Sequence, residues 1–260
     1  MPLVTTGVHG SVMTITLGDE SRRNALSQQM MKELLEAIDV AESDARVRVV
    51  VVTNRGSVFC AGADLAEVEG HRANSGALVV DLGELLRRIR HSPKPFVARL
   101  AGHCVAGGVG LAAVMDVSVA IDSATFGFAE VRVGVAPAII SVVCLAKMRH
   151  GEAQEAFLRG NRFSAAEAAR LGLINSCVAP SEIDRVIAHV VNDLLAGEPR
   201  ALAATKELLV RVPAMSEAEA FEWTKKLSTR MFQSDEAREG VDAFLHKRPA
   251  AWVERIVPEP

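Results

Sequence analysis

The spacing of apolar and polar positions changes several times along the chain, and each change predicts an element. Leu3–Val8 and Ser11–Leu17 are strand-like runs flanking His9-Gly10, a tight-turn pair, and together they predict a hairpin. The loop Gly18–Ala25 carries Asp19, Glu20, Arg22 and Arg23, after which Ser27 stands as the N-cap of a helix. Met31, Leu34, Leu35 and Ile38 lie at the spacing of one helical face. Arg48–Thr53 holds four consecutive valines, the pattern of a strand buried on both faces. Asn54-Arg55-Gly56 ends that strand, and Phe59–Leu65 is expected as a loop that turns into a short helix at Asp64. A longer helix is predicted over Ser75–Arg90, with Leu78, Leu82, Leu85, Leu86 and Ile89 on one face and Pro93-Lys94-Pro95 as its stop.

The stretch from Pro95 to Pro137 organises the rest. Phe96–Leu100 reads as a strand, Gly102 breaks it, and Gly107, Gly108 and Gly110 open the apolar run Leu111–Met115, a buried helix start. Val117–Ile121 predicts the next strand, and Glu130 stands in a loop beyond Gly127. After Pro137 helix patterns dominate: Ala138–Met148, Glu152–Leu158, Ala165–Leu171, Glu182–Ala196, Ala201–Val210, Glu217–Phe232 and Glu236–His246. Two begin with a capping box, Ser164 with Glu167 and Ser216 with Glu219, and only Leu173–Val178 reads as a strand there. The expected organisation is a mixed α/β body over residues 1–195 and an all-helical tail over residues 196–260. The tail is amphipathic and too small to fold well alone, so it is expected to pack on its own body or on a neighbouring subunit.

Composition narrows the class of protein. With 260 residues, 49% hydrophobic and 23% charged, the chain has ample material for a core. A net charge of −3 gives no reason to expect nucleic acid or an anionic membrane as a partner. Cys60, Cys104, Cys144 and Cys177 sit in apolar surroundings without a C-x-x-C spacing, which predicts buried, reduced thiols and no metal site. The N-terminus shows no basic start followed by an apolar core, and no apolar run is long enough to span a bilayer. These features predict a cytoplasmic enzyme.

A strand, a glycine-opened helix, a second strand and a lone carboxylate make a place where backbone N–H groups can face an anion. Gly108-x-Gly110-x-x-Ala113 fits a loose dinucleotide fingerprint, with Asp122 ending the next strand. The glycines, however, start well after Leu100, Asp122 follows sooner than the usual spacing of about twenty residues, and the stretch lies mid-chain. A P-loop is excluded, because no Gly-Lys-Ser/Thr is present.

Five blocks carry a different reading. They are Arg23-Asn24-Ala25-Leu26, Phe59-Cys60-Ala61-Gly62-Ala63-Asp64-Leu65, Ala101 through Gly110, Glu130-Val131-Arg132-x-Gly134-x-x-Pro137, and Glu239 through Pro249. In order and spacing the chain strongly resembles the enoyl-CoA hydratase/isomerase (crotonase) superfamily over nearly its whole length. The resemblance implies a spiral core of repeated ββα units and a C-terminal helical region that builds a homotrimer or hexamer. It implies acyl-CoA thioesters as substrates, with no separate cofactor, since coenzyme A enters as part of the substrate. Catalysis would fall to Glu130 as acid/base and to the N–H groups of Ala63 and Gly107, which would receive the thioester oxygen as an enolate forms. Two such donors typically contribute several kcal/mol in a dry pocket. Arg23, Ala61, Ala63, Asp64, Leu65, Ala66, Gly107, Phe244 and Lys247 would bind the CoA portion, although Arg23 and Lys247 read equally as solvated surface charges.

One departure bears on the reaction. Two-carboxylate hydratases of the superfamily place their first glutamate three residues after the position of Gly107, and this chain has Gly110 there. Asp81, Glu84, Glu67 and Glu69 are in range by sequence as a second acid. The resemblance favours an enoyl-CoA hydratase, with an isomerase using Glu130 alone, or a methylglutaconyl-CoA-hydratase-like enzyme, as alternatives. An NAD-dependent oxidoreductase and a non-catalytic CoA-binding scaffold are the readings from other classes. His103, Cys60 and Cys104 are expected to pack, not to act as ligands or nucleophiles, and Asp116 and Asp122 to end or cap elements.

Overall fold

The four valines at 49–52 stand at the centre of the larger of two sheets. The computed structural model describes residues 2–73 and 82–254. Strands β1 (Val4–His9) and β2 (Val12–Leu17) form the expected antiparallel hairpin. Its turn falls at Gly10-Ser11, because His9 pairs directly with Val12, and Gly10 supplies the positive φ of 55°. Helix α1 (Gln28–Ser43) begins where expected: the Ser27 hydroxyl accepts from the Met30 N–H at 3.1 Å. Strand β3 (Val49–Asn54) then pairs in parallel with β2.

From β3 onward the chain repeats one move. A strand of the large sheet is followed by a three-residue strand of a smaller sheet and then by helix. In this way β3 leads to β4 (Val58–Cys60) and to helices α2 (Leu65–Ala73) and α3 (Leu82–His91). Strand β5 (Phe96–Leu100) leads to β6 (His103–Val105) and α4 (Gly107–Val114), and β7 (Val117–Ile121) leads to β8 (Thr125–Gly127) and α5 (Ala138–Cys144). Helix α6 (His150–Arg159), strand β9 (Arg162–Ser164), helix α7 (Ala165–Arg170) and strand β10 (Ser176–Val178) complete the body. The large sheet has the order β1-β2-β3-β5-β7-β10 and the small one β4-β6-β8-β9. This is the expected spiral of ββα units. Helix α8 (Ile183–Ala196) packs on the large sheet at the end of the body, and the tail consists of α9 (Pro199–Arg211), α10 (Glu217–Phe232) and α11 (Asp235–Leu245).

Periodicity alone leaves the small sheet out. Val58–Cys60, read as loop, is a strand, and so are His103–Val105, Thr125–Gly127 and Arg162–Ser164. Three residues carry too little alternation to register as a period, and these strands exist because their neighbours pair with them. Strand β10 starts at Ser176, so Leu173 and Ile174 belong to the core and not to the ladder. The start of the helix predicted over Ser75–Arg90, with Leu78, lies outside the described residues; its second half is α3.

Both faces of β3 are covered, as the valine run predicted. Val50 and Val52 point into the main core with Met31, Leu34, Leu85 and Leu86 of α1 and α3. Val49 and Val51 meet Ile183, Ile187, Val191 and Leu195 of α8 on the other side. Further along the tail, Lys206 of α9 reaches back into the body and is only 8% exposed. Its ammonium donates to the Asp116 carboxylate at 2.6 Å and to the Lys94 carbonyl at 2.9 Å, and lies 5.5 Å from the centre of the Phe96 ring. Asp116 also accepts from the Phe96 N–H at 2.7 Å, so one carboxylate ties α9 to the start of β5. Burial pushes the Lys206 pKa down, and Asp116 opposes that shift.

Removing one member of a buried pair strands the other, at a cost of about 3 kcal/mol or more. Lys206→Ala is therefore expected to lower the unfolding free energy measured in urea by an amount of that order, and an Asp116/Lys206 double-mutant cycle should show strong coupling. A loss below ~1 kcal/mol, typical of exposed pairs, would show that this contact does not anchor α9.

Candidate active site

Strands that run parallel have their carboxyl ends on one side. Strands β4, β6 and β8 are parallel neighbours, so the segments that follow them emerge together along one edge of the small sheet. Those segments are Ala61–Ala63, Ala106–Gly107 and Ala129–Glu130, and each contributes to the wall of one cavity of about 380 Å³. Leu65, Leu82, Val133, Val135, Ile139 and Ile140 make most of the remaining wall apolar. The structure thus brings Glu130, Ala63, Gly107, Ala61 and Leu65 together.

Close backbone contact sets the first two segments against each other. A β-carbon on Gly62 would lie 2.9 Å from the Ala106 Cβ and 3.0 Å from the Gly107 nitrogen, and the Gly62 φ of 86° also suits glycine alone. Ala106, just before α4, is held at φ 51° and ψ −122°, a strained conformation that turns the chain sharply into the helix. Its N–H donates to the Gly127 carbonyl at 2.9 Å, which ties this turn to the strand leading to Glu130. The outcome is a free N–H at the first residue of α4, where the helix dipole favours negative charge. Among the described residues, neither the Gly107 N–H nor the Ala63 N–H has a protein acceptor.

The segment 23–26 fixes Ala63 from the other side. The Ala61 N–H donates to the Arg23 carbonyl at 3.1 Å, and the Leu26 N–H donates to the Gly62 carbonyl at 2.7 Å. Asn24 is fully buried at φ 52°, and its amide donates to the carbonyls of Val58 at 2.8 Å and Arg55 at 3.2 Å. Sequence reasoning noted Asn24 only as part of a motif; its burial and positive φ, common for asparagine, mark it as a brace for β4. Arg23 serves the site through its carbonyl, while its side chain is exposed and outside the cavity wall. The Asp64 carboxylate is occupied as the cap of α2, accepting from the Ala66 N–H at 3.0 Å, and as the partner of Arg22 at 3.1 Å. Ala66 is exposed on α2, and Phe244, 82% exposed, and Lys247 lie on or just beyond α11, outside the wall of this cavity.

Glu130 sits in a 3-10 turn over Ala129–Val133, whose end is closed by the N–H groups of Gly134 and Val135 donating to the Glu130 carbonyl. Its carboxyl is half buried, and Oε2 is buried without a hydrogen-bond partner among the described residues. Burial raises its pKa from the ordinary 4.5, offset in part by its own backbone N–H. Arg132 does not neutralise it, because that guanidinium donates to the Arg159 carbonyl at 2.8 Å. Glu67 accepts from the Gln28 N–H at 2.9 Å, Glu84 pairs with Arg87 at 2.7 Å, Glu69 is exposed on α2, and Asp81 lies outside the described residues. Among the described residues, Glu130 is the only carboxyl in the cavity wall.

The remaining chemistry-bearing residues pack. His103 Nδ1 accepts from the Thr125 N–H at 3.0 Å. Cys60 and Cys104 are fully buried, and burial pushes the Cys60 thiol up to about 12, which makes it inert. No group of three His, Cys, Asp or Glu residues among those described could hold a metal ion. The glycines of the dinucleotide pattern face inward: a β-carbon on Gly108 would lie 2.1 Å from the Cys60 carbonyl oxygen. Gly108 lets α4 approach β4 and Gly110 lets it approach Ile140 of α5, so neither offers a surface to a pyrophosphate.

Comparison with known proteins bears on the family and the fold. The Enoyl-CoA hydratase/isomerase family model matches residues 7–255. A Thermus thermophilus protein is 36% identical over 245 residues, which is 92% of this chain and 96% of its own length. The enoyl-CoA hydratase EchA19 of Mycobacterium tuberculosis is 30% identical over 92% of both chains. AtuE of Pseudomonas aeruginosa superposes with a TM-score of 0.92 at 30% identity, covering 97% of this chain and all (100%) of its own.

A carboxyl whose pKa rises on folding contributes stability that is present below its unfolded value and lost as pH rises through its folded value. Ionised Glu130 therefore costs stability near neutral pH. Glu130→Gln is expected to raise the melting temperature at pH 7 and above, and this gain should shrink as the pH falls toward 4.5. An equal effect at both pH values would show that burial does not raise the pKa of the Glu130 carboxyl.

Proposed function

The chain belongs to the enoyl-CoA hydratase/isomerase family, and from that premise we propose that its cavity receives an acyl-CoA thioester and adds water to a 2-enoyl group. The observation that carries this reading is the pairing of opposites in one apolar cavity. Among the described residues, two N–H donors lack acceptors, at Ala63 and Gly107, and one carboxyl oxygen lacks a donor, at Glu130. A thioester oxygen satisfies the donors, and a water or an acidic C–H satisfies the carboxylate.

In this mechanism Glu130 takes a proton from water as its oxygen bonds to C3. The electron pair of the double bond moves through C2 to the thioester oxygen, which becomes an enolate held by Ala63 and Gly107. Glu130 then returns a proton to C2, and the carbonyl re-forms. The raised pKa suits a group that must both take and give a proton near neutrality. The same parts can move a double bond, by taking the C2 proton of a 3-enoyl thioester and delivering it to C4. One carboxyl, the only one in the cavity wall among the described residues, is enough for that second reaction. Every step is proton transfer with charge stabilisation, so coenzyme A enters with the substrate and no separate cofactor is needed.

Leu65 and Ala66, with the capped Asp64, would flank the CoA arm at the cavity mouth. Arg23, Phe244 and Lys247 would meet it from outside the cavity. The tail leaves Phe221, Phe232, Phe244 and Leu245 more than two-thirds exposed, at 69%, 75%, 82% and 69%, which supports a homotrimer or hexamer built through it. No helix among the described residues is long and apolar enough to cross a membrane. Four unpaired cysteines suit a reducing compartment, which supports a cytoplasmic location.

A panel of 2-enoyl and 3-enoyl CoA thioesters, followed at the absorbance of the conjugated thioester, tests the activity. Ala63→Pro removes one donor and is expected to lower turnover by roughly 10²–10³ in a folded variant. Turnover equal to the wild type would place the oxyanion elsewhere, and saturable NAD binding without CoA binding would overturn the substrate class. Light scattering should give at least three subunits; a monomer at micromolar concentration would refute the oligomer.

A further inference from the structure

Two apolar cavities share a wall. Ala136, Pro137 and Ala138 line the cavity that holds Glu130, and the same three residues line a second one of about 440 Å³. Helix α6 supplies much of this second cavity. Its Ala153 is 2% exposed, and its Phe157 packs on the main core and stacks on Phe128, with ring centres 4.1 Å apart. Leu145, just past α5, and Leu158 of α6 add apolar surface, and they stand 48% and 77% exposed. Among the described residues, no carboxylate, lysine or arginine lines this cavity. The Ser141 hydroxyl donates to the Ala138 carbonyl at 2.7 Å, which leaves His150 and Gln154 as the other polar side chains. The shared wall carries little bulk. Ala136 and Ala138 have one methyl group each, and Pro137, the N-cap of α5, fixes the backbone between them. On the Glu130 side the wall continues as Val133, Val135, Ile139 and Ile140. Apolar surface therefore runs from one cavity to the other across three compact side chains.

We propose that this second cavity receives the distal hydrocarbon of a long acyl chain, and that it gives the enzyme a preference for long 2-enoyl thioesters over short ones. The proposal rests on the acyl-CoA reading above: the thioester and the reacting carbons stay at Ala63, Gly107 and Glu130, and only the carbons beyond them cross Pro137. Three observations select a hydrocarbon tail as the occupant. The second cavity lacks charged groups with which a polar ligand could pair. Leu145 and Leu158 are apolar surface left in water, and covering them is favourable. The cavity also adjoins, through shared residues, the place where the head of the chain is held. A tail thus arrives there already tethered, without a separate cost of association. Each methylene taken out of water strengthens binding by up to about fourfold, and the open side of the groove lowers that figure. The shortest chains end inside the first cavity and gain nothing from the second.

The test compares trans-2-butenoyl-, octenoyl- and dodecenoyl-CoA on wild-type protein and on the double variant Leu145→Asp/Leu158→Asp. Both leucines are exposed, so the substitutions leave the core intact. Wild-type kcat/KM should rise by roughly tenfold or more from the butenoyl to the dodecenoyl thioester, chiefly through KM. The double variant should lower the dodecenoyl-to-butenoyl ratio of kcat/KM at least about tenfold, less than two fully buried methylenes contribute. Repulsion between the new carboxylates and the CoA phosphates acts on both thioesters and cancels in that ratio. Calorimetry with saturated dodecanoyl-CoA and butanoyl-CoA gives a reading apart from turnover. The longer chain should bind wild type more tightly, with a more negative heat-capacity change. A wild-type profile that is flat or falls with chain length would overturn the proposal, and it depends on no variant's folding. An unchanged ratio in the double variant would overturn it too. If that unchanged ratio came with a lower subunit number by light scattering, the groove would be a contact between copies of this chain. Failure of every thioester to bind or react would instead overturn the acyl-CoA reading itself, an outcome distinct from activity on butenoyl-CoA with no gain from length.

Discussion

The site depends on one close approach between two stretches of backbone. Gly62 lies so near Ala106 and Gly107 that any side chain on it would strike the turn entering α4. That contact sets the N–H after β4 beside the N–H that opens α4, and two donors at such a junction are what a developing oxyanion requires. Hydrogen bonds hold the junction from both sides: segment 23–26 grips Ala61 and Gly62, and the Gly127 carbonyl accepts from Ala106. The positive φ of Ala106 is a local cost that this surrounding ladder sustains.

A second constraint is polar economy. Helix α4 is buried along its whole length, and its two ends are treated differently. At the carboxyl end, the ammonium of Lys147 donates to the Met115 carbonyl at 2.9 Å, while Asp116 binds the Phe96 N–H and Lys206. At the amino end the donor of Gly107 is left open toward the cavity. Glu130 is treated alike, with Arg132 turned away to the Arg159 carbonyl and Oε2 left bare. Unpaired buried polar groups are costly, and Glu130 Oε2 is one that lies in the cavity wall. The stability forgone at Glu130 and its raised pKa have the same cause, which is its removal from water.

Much of the fold was legible. Long elements with a clear period came out near their true bounds, such as α1 behind its Ser27 cap, β5, β7 and α10 behind its capping box. The order of the motif blocks carried the family and, with it, the ββα spiral. The short strands of the small sheet were not legible from periodicity. A three-residue strand such as Val58–Cys60 takes its conformation from its neighbours in the sheet and not from its own pattern.

Ala63, Gly107 and Glu130 were identifiable from the sequence as residues of one motif set, and so was the lone Gly110 where a carboxylate could stand. Their surroundings were not. Asp64 caps α2 and binds Arg22, and the Arg23 carbonyl accepts from the Ala61 N–H, contacts that the motifs do not spell out. That Glu130 is bare and not paired with Arg132 was decided only when the chain folded. The same holds for Ile140, thirty positions along the chain and in another helix, which fills the space beside Gly110. Local sequence determines which residue types a segment offers and the conformations they favour. Which groups are stripped of water, which find partners and which collide depends on surfaces that meet only when distant segments pack, and those three outcomes are what set a carboxyl's pKa, a donor's direction and the room left for a second acid.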